Sequence, residues 1–150
     1  MAIASFTSSF NLGARPNRFR LTVQTPDFIN IPGIGLEIRE MCHSAVLPKS
    51  ELGVVDVKHQ GRTFPRPGDR PYEPLEVSFK NNDNFAVRQF FEAWNSAINR
   101  PTTNTGRANV GEYSKNITIE QLDYAALEPL ATYTFINAWP SVVSDIQLDQ

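Results

Sequence analysis

Hydrophobic and polar residues alternate strictly in several short windows of this chain, and fall at helical spacing in one longer window. Phe19, Leu21 and Val23 alternate with Arg18, Arg20, Thr22 and Gln24, the period of a strand with one buried face. Pro26 and the Pro32-Gly33 step then turn the chain. A second strand is expected through Leu36, Ile38 and Glu40, with Glu37, Arg39 and Met41 on the opposite parity. Leu75, Val77 and Phe79 alternate with Glu76, Ser78 and Lys80, and Ile117 and Ile119 alternate with Thr118 and Glu120. Tyr133 and Phe135 open a strand that reaches Trp139-Pro140, where a change of parity near Asn137 predicts a bulge or sharp bend. Ile146 and Leu148 alternate with Gln147 and Asp149 in a last strand. Thr102 to Gly111 is polar and reads as a loop, and Tyr124 to Pro129 as a turn or a single helical turn.

The helical window runs over residues 83–99. Val87, Phe90, Phe91, Trp94, Ala97 and Ile98 share one face, and Arg88, Gln89, Glu92, Asn95 and Asn99 the other. Asn82, Asp83 and Asn84 are candidate N-caps, and Arg100-Pro101 ends the helix. An aromatic stripe of this kind can line a ligand pocket, but its usual place is a core. Val87, Phe90, Phe91, Trp94 and Ile98 are therefore assigned to a core helix that plugs one open face of a sheet.

Residues 47–68 break the strand pattern. Val54, Val55 and Val57 form a short apolar piece, Lys58 to Arg62 reads as a turn, and Phe64-Pro65-Arg66-Pro67-Gly68 cannot be a central strand. So long a connection inside a compact domain is uncommon and is usually functional. A bare surface loop would waste the apolar side chains in water, so an arm that contacts another molecule is the favoured reading. Residues 1–13, with Phe6 and Phe10, read as an extended N-terminal arm.

The bulk properties narrow the function class. A chain of 150 residues is one domain by size and can bury a sizeable core. Its net charge of −2 gives no footprint for nucleic-acid binding, which needs clustered Lys and Arg. The apolar runs are far short of a membrane span, and the first residues lack a secretory signal. The single cysteine, Cys42, rules out a disulfide framework and suggests a reducing compartment. Many of the 11 prolines stand at strand ends, which fits a β-rich fold.

Candidate chemistry is sparse. Cys42 and His43, with His59 farther on, form the one Cys/His grouping. Neighbours on a strand face opposite ways, and zinc needs about four ligands at paired spacing, so no metal site is assigned. Glu37 with Glu40, Glu76, and Glu120 with Asp123 offer carboxylates that nothing in the sequence gathers into a cleft. No phosphate-binding loop, dinucleotide fingerprint or nucleophile elbow is present, and Asn116-Ile117-Thr118 is a chance glycosylation match. No catalytic residue, metal site or cofactor site is assigned, and the chain is read as a non-enzyme.

Two separated segments carry a resemblance. Ala14-Arg15-Pro16-Asn17 runs into the first strand, and Ala138-Trp139-Pro140 precedes the Ile146-Gln147-Leu148-Asp149 strand. Between them stand Cys42 to Pro48, Gly68-Asp69-Arg70, Asn81-Asn82-Asp83 and the aromatic helix, in that order. Each piece alone is a common pattern. The ordered set resembles the tail tube proteins of contractile-tailed bacteriophages over nearly the whole chain.

That resemblance implies a single tail tube domain that is mainly β: a β-barrel-like sandwich of two packed antiparallel sheets, one flanking α-helix and a long extended arm loop. It implies hexameric rings stacked into a tube that encloses the channel for DNA ejection. The implied partners are copies of itself, the tail sheath protein, the baseplate and tail terminator proteins, and a tape measure protein in the lumen. DNA would pass transiently without sequence-specific binding, with no stable membrane association. The place would be the virion tail, assembled in the bacterial host cytoplasm. On this reading Leu47, Val54, Val55, Val57 and Phe64 make inter-ring contacts, and Glu37, Arg39, Glu76 and Glu120 face the lumen on the polar parity of their strands. Family members usually continue into a further C-terminal strand, whereas this sequence stops at Gln150; either that segment is missing or the fold has a shorter version. If it is missing, a neighbouring subunit has to cover the open edge. A related alternative is the tube subunit of a type VI secretion or extracellular contractile injection system delivering protein effectors. A more distant one is a small enzyme or ligand-binding β-barrel.

Overall fold

The computed structural model describes residues 14–123 and 128–146. Strand outweighs helix, 34% against 19%, all strand pairs are antiparallel, and no closed barrel forms among the described residues. The mainly β reading holds. The chain divides into two compact units, one of residues 1–41 and 81–150, the other Cys42–Lys80.

The first unit is built on a three-stranded sheet of β1 (Phe19–Val23), β6 (Lys115–Leu122) and β7 (Pro129–Ala138), in the order β1-β6-β7. Register places Leu21 opposite Ile119 and Ile119 opposite Tyr133; Val23 opposite Ile117 and Ile117 opposite Phe135. Those rows form the apolar face. The alternate rows put Arg20 beside Glu120 and Thr132, and Thr22 beside Thr118 and Thr134. The parity change expected at Asn137 is real: the register slips between Lys115 and Ile117, Asn137 adopts φ 57°, and its N–H donates to Asn116 Oδ1 at 3.3 Å.

Helices α1 (Ile34–Met41), α2 (Ala86–Ile98) and the single turn α3 (Val110–Tyr113) complete this unit. The core joins Leu21, Val23, Ile119 and Leu122 of the sheet to Ile34 and Ile38 of α1 and Val87, Phe90 and Trp94 of α2, all buried. Phe90 meets Phe91 and Trp94 edge-on, with ring centroids 5.2 and 5.7 Å apart, the favoured geometry for aromatic quadrupoles. The Trp94 indole N–H donates to Tyr113 O at 2.7 Å, so the buried ring leaves no polar group unpaired. Phe91 and Ile98 are half-buried at the margin. At the start of α2 the capping residue is Phe85, in the left-handed region at φ 51°, rather than Asn82, Asp83 or Asn84. Asn84 still contributes, because its side chain accepts from the Ala86 N–H.

One expected element is wrong. The stretch read as a second strand through Leu36, Ile38 and Glu40 is helix α1. Its buried residues are Ile34 and Ile38, four apart, while Leu36 is 56% exposed. The alternation of Leu36 and Ile38 with Glu37 and Arg39 over five positions suits either period. The competing signals were Gly33, which takes φ 78° at the entry to α1, and the four-residue repeat of Ile34 and Ile38.

The second unit holds two antiparallel pairs, β2 (Cys42–Val46) with β5 (Glu76–Phe79), and β3 (Val54–His59) with β4 (Arg62–Pro67). Most of the stretch expected as an extended loop is therefore a hairpin. Gln60 and Gly61 both adopt positive φ, 48° and 76°, the backbone of the two-residue turn whose twist matches its strands. Pro65 and Pro67 are tolerated because β4 pairs on one side only. At the base, Gly68 lies so close to β3 that a Cβ would stand 2.7 Å from a Val55 methyl carbon. The short strand expected through Ile146 is not formed at Ile146, and the rest of it, Gln147 to Asp149, lies outside the described residues. So do most of the Tyr124 to Pro129 turn and the N-terminal arm with Phe6 and Phe10; Pro129 already opens β7.

Candidate functional site

The residues singled out for contact with another molecule gather on the β3-β4 hairpin. Every residue of both strands is exposed. Cross-strand register puts Val55 opposite Arg66, Val57 opposite Phe64, and His59 opposite Arg62, and opposite residues share a face. One face thus carries an apolar centre of Val55, Val57 and Phe64, at 54, 47 and 47% exposure, bracketed by Arg62, Arg66 and His59. The other face carries Val54, Asp56, Lys58, Thr63, Pro65 and Pro67. Val54 is thus separated from the other three, and Leu47 lies outside the hairpin, 39% exposed. A solitary two-stranded hairpin is marginal in water. Apolar side chains left on it join no core among the described residues.

The residues expected on one polar wall are not brought together. Glu37 and Arg39 sit on α1, and the strand parity on which their assignment rested does not exist there. Glu76 is exposed on β5 in the second unit, opposite Val46. Glu120 alone lies on the polar face of the three-stranded sheet, 3.5 Å from Arg20 across the strands. With both groups partly in water, that pair adds little stability; its effect is to cancel two charges on a face that carries Thr22, Thr118, Thr132 and Thr134, and at the ends of β7 the exposed Leu130 and Ile136. Both outer strands of this sheet, β1 and β7, have one partner each among the described residues, so each presents an open edge.

Cys42 and His43 make no reactive centre of the kind a thiol enzyme uses. Burial pushes the Cys42 thiol up to about 11, which leaves little thiolate at neutral pH, and His43 is exposed. Among the described residues no group of His, Cys, Asp or Glu is arranged to hold a metal ion. No described helix is long and apolar enough to cross a membrane. Two open clefts among the described residues lie elsewhere. One is lined by Gln24, Asp27, Ile34 and Lys115, and the other by Arg88, Glu92, Asn95 and Val142. In the second, Arg88 and Asn95 bond the carbonyls of Ser144 and Pro140 at 2.9 and 3.0 Å, so the cleft is where residues 140–144 lie along α2.

Reading by sequence missed two groups. Arg62 and Arg66 were legible once the Gln60-Gly61 turn is taken as a two-residue hairpin, because that turn fixes the register. The threonine rows were legible in the parity of β1 and β6, but their alignment needs the pairing order.

Comparison with known proteins points to one family. A family model described as phage tail tube protein matches residues 7–150. The tail tube protein of Serratia phage KSP90 is 33% identical over 138 residues, covering 90% of this chain and 76% of that protein. The tail tube proteins gp19 of Enterobacteria phages T6 and T4 are each 24% identical over 151 residues, covering 99% of this chain and 88% of theirs.

Proposed function

Because the chain belongs to the phage tail tube protein family, a structural class of the virion tail, we propose that it forms hexameric rings stacked into the inner tube of a contractile tail, the conduit for DNA ejection. The observation that supports this most is the sheet β1-β6-β7, open at both edges and polar on one face. Edge strands carry unpaired N–H and C=O groups. Pairing β1 of one copy with an edge of the next continues the sheet around a ring and satisfies those groups by closure. The hairpin face of Val55, Val57 and Phe64 then serves the contact between rings. Sheath, baseplate, tail terminator and tape measure proteins are the further partners of such a tube, assembled in the host cytoplasm. The relatives are phage proteins, which favours DNA over protein effectors as cargo. Negative-stain microscopy of the purified chain tests the class: tubes or six-membered rings are expected, and a persistent monomer at high concentration argues for an isolated binding domain instead.

In this reading the channel wall is the polar sheet face, with Glu120 and the threonine rows, while Glu37 and Arg39 have no part in it and Glu76 is not used. DNA is held by Lys and Arg that neutralise phosphates. A wall of threonines and the exposed Leu130 and Ile136, with its one Arg20-Glu120 pair, gives the phosphates of passing DNA no unpaired cation to hold them. Thr132→Lys with Thr134→Lys adds two exposed cations per subunit on that face. Tubes should still assemble, and DNA delivery at low salt should slow roughly tenfold, recovering as salt screens the attraction. Normal delivery at low salt would remove the sheet face from the channel.

A further inference from the structure

We infer that the hairpin's counter-surface on a second copy of this chain is the outer face of α1, where Leu36 stands beside Glu37 and Glu40. The inference rests on the proposal that the hairpin mediates contact between rings, and it names the surface that receives it.

The hairpin face is apolar in the middle and cationic at both ends, and no ion pair engages Arg62 or Arg66 among the described residues. Its partner should therefore be apolar in the middle and acidic around it. Of the other carboxylates on regular elements, Glu92 pairs with Arg88, Glu112 with Arg107 and Glu120 with Arg20, and Asp56 lies on the hairpin itself, on its opposite face. Glu76 beside exposed Val46 offers a single carboxylate. On α1 two carboxylates stand one turn apart, neither in an ion pair among the described residues, next to a leucine that is 56% exposed. By helical periodicity Leu36 and Glu40 share the face opposite buried Ile34 and Ile38, Glu37 flanks them, and Arg39 projects from the other flank. Glu37 also has one carboxylate oxygen, Oε1, out of water and without a hydrogen-bond partner among the described residues. Its charge is poorly compensated within the chain, so an incoming guanidinium adds charge-assisted hydrogen bonding on its accessible side.

The dimensions fit. Arg62 and Arg66 are two strand repeats apart, about 13 Å. Their long side chains can close inward on carboxylates whose stems stand about 5–6 Å apart. Phe64 and Val57 then meet Leu36, one turn from Glu40 on the same face.

The test is a charge exchange in the full-length chain, read by pelleting of polymer. Arg62→Glu with Arg66→Glu should abolish pelletable tubes, as should Glu37→Arg with Glu40→Arg. All four changes together should restore them. A quadruple variant that is folded by circular dichroism yet stays monomeric overturns the inference, and so does either reversal alone that pellets normally. If Val55→Asp with Val57→Asp still blocks assembly in that last case, the hairpin remains a ring contact and only its counter-surface is wrong. An independent arm covers a quadruple variant that misfolds: Leu36→Cys with Phe64→Cys in a Cys42→Ser background. Oxidised tubes of that variant should run as a ladder of covalent oligomers that each single cysteine fails to give. Assembled tubes without a ladder overturn the inference.

Discussion

Trp94→Ala should unfold or nearly unfold the subunit. Trp94 is fully buried, packs edge-on against Phe90 and parallel to Phe91, and holds Tyr113 O through its indole N–H. Removing a buried Trp side chain costs about 3–5 kcal/mol through lost transfer energy and the cavity left behind. Losing the bond to the part-buried Tyr113 carbonyl adds about 1 kcal/mol. Against a whole-domain stability of about 5–15 kcal/mol, the expected result is insoluble protein or a Tm lowered by more than about 10 °C. Trp139→Ala is the control, since that ring is 51% exposed at the end of β7. It should leave monomer stability within about 1 kcal/mol. A soluble Trp94→Ala variant with an unchanged melting curve would remove α2 from the core.

How far the sequence revealed this fold depended on how many residues voted for each period. β1 and β5 were legible from three alternating apolar positions each and β6 and β7 from two, and in β1 and β6 part of that apolar parity is buried, so a slip of one residue would be costly. α2 was legible because its apolar stripe persists over nearly four turns. α1 was not, because eight residues offer two turns, and its exposed Leu36 imitates a strand's apolar parity. With α1 misread, Glu37 and Arg39 were given a strand parity that does not exist there. The candidate contact residues fared differently. Val54, Val55, Val57 and Phe64 stood out as apolar side chains in a stretch too proline-rich for a core strand, and all four are exposed on the hairpin. Which of them share a face depended on the turn at Gln60-Gly61, a pairing between strands that periodicity along one strand does not show.

Val55→Asp with Val57→Asp should give a folded subunit that does not polymerise. Both side chains are about half exposed and lie on one hairpin face with Phe64, so the isolated chain loses little when they change, within about 0.5 kcal/mol each. In a stacked tube the same positions are covered. Each valine then forfeits roughly 1.5–3 kcal/mol of burial, and a carboxylate taken out of water without a partner costs more again. The penalty falls on every subunit of a ring, so even the lower figure outweighs what the neighbouring contacts can offset. The expected result is a native circular dichroism spectrum and Tm beside a sedimentation profile with no polymer. Isolated rings without stacks would match the hairpin's place between rings, whereas normal tube lengths would show that this apolar face lies outside the interface. Val54→Asp separates the two faces of the hairpin: Val54 is 68% exposed on the opposite face. A tube that survives Val54→Asp and fails with Val55→Asp and Val57→Asp assigns the contact to the face that also carries Arg62 and Arg66.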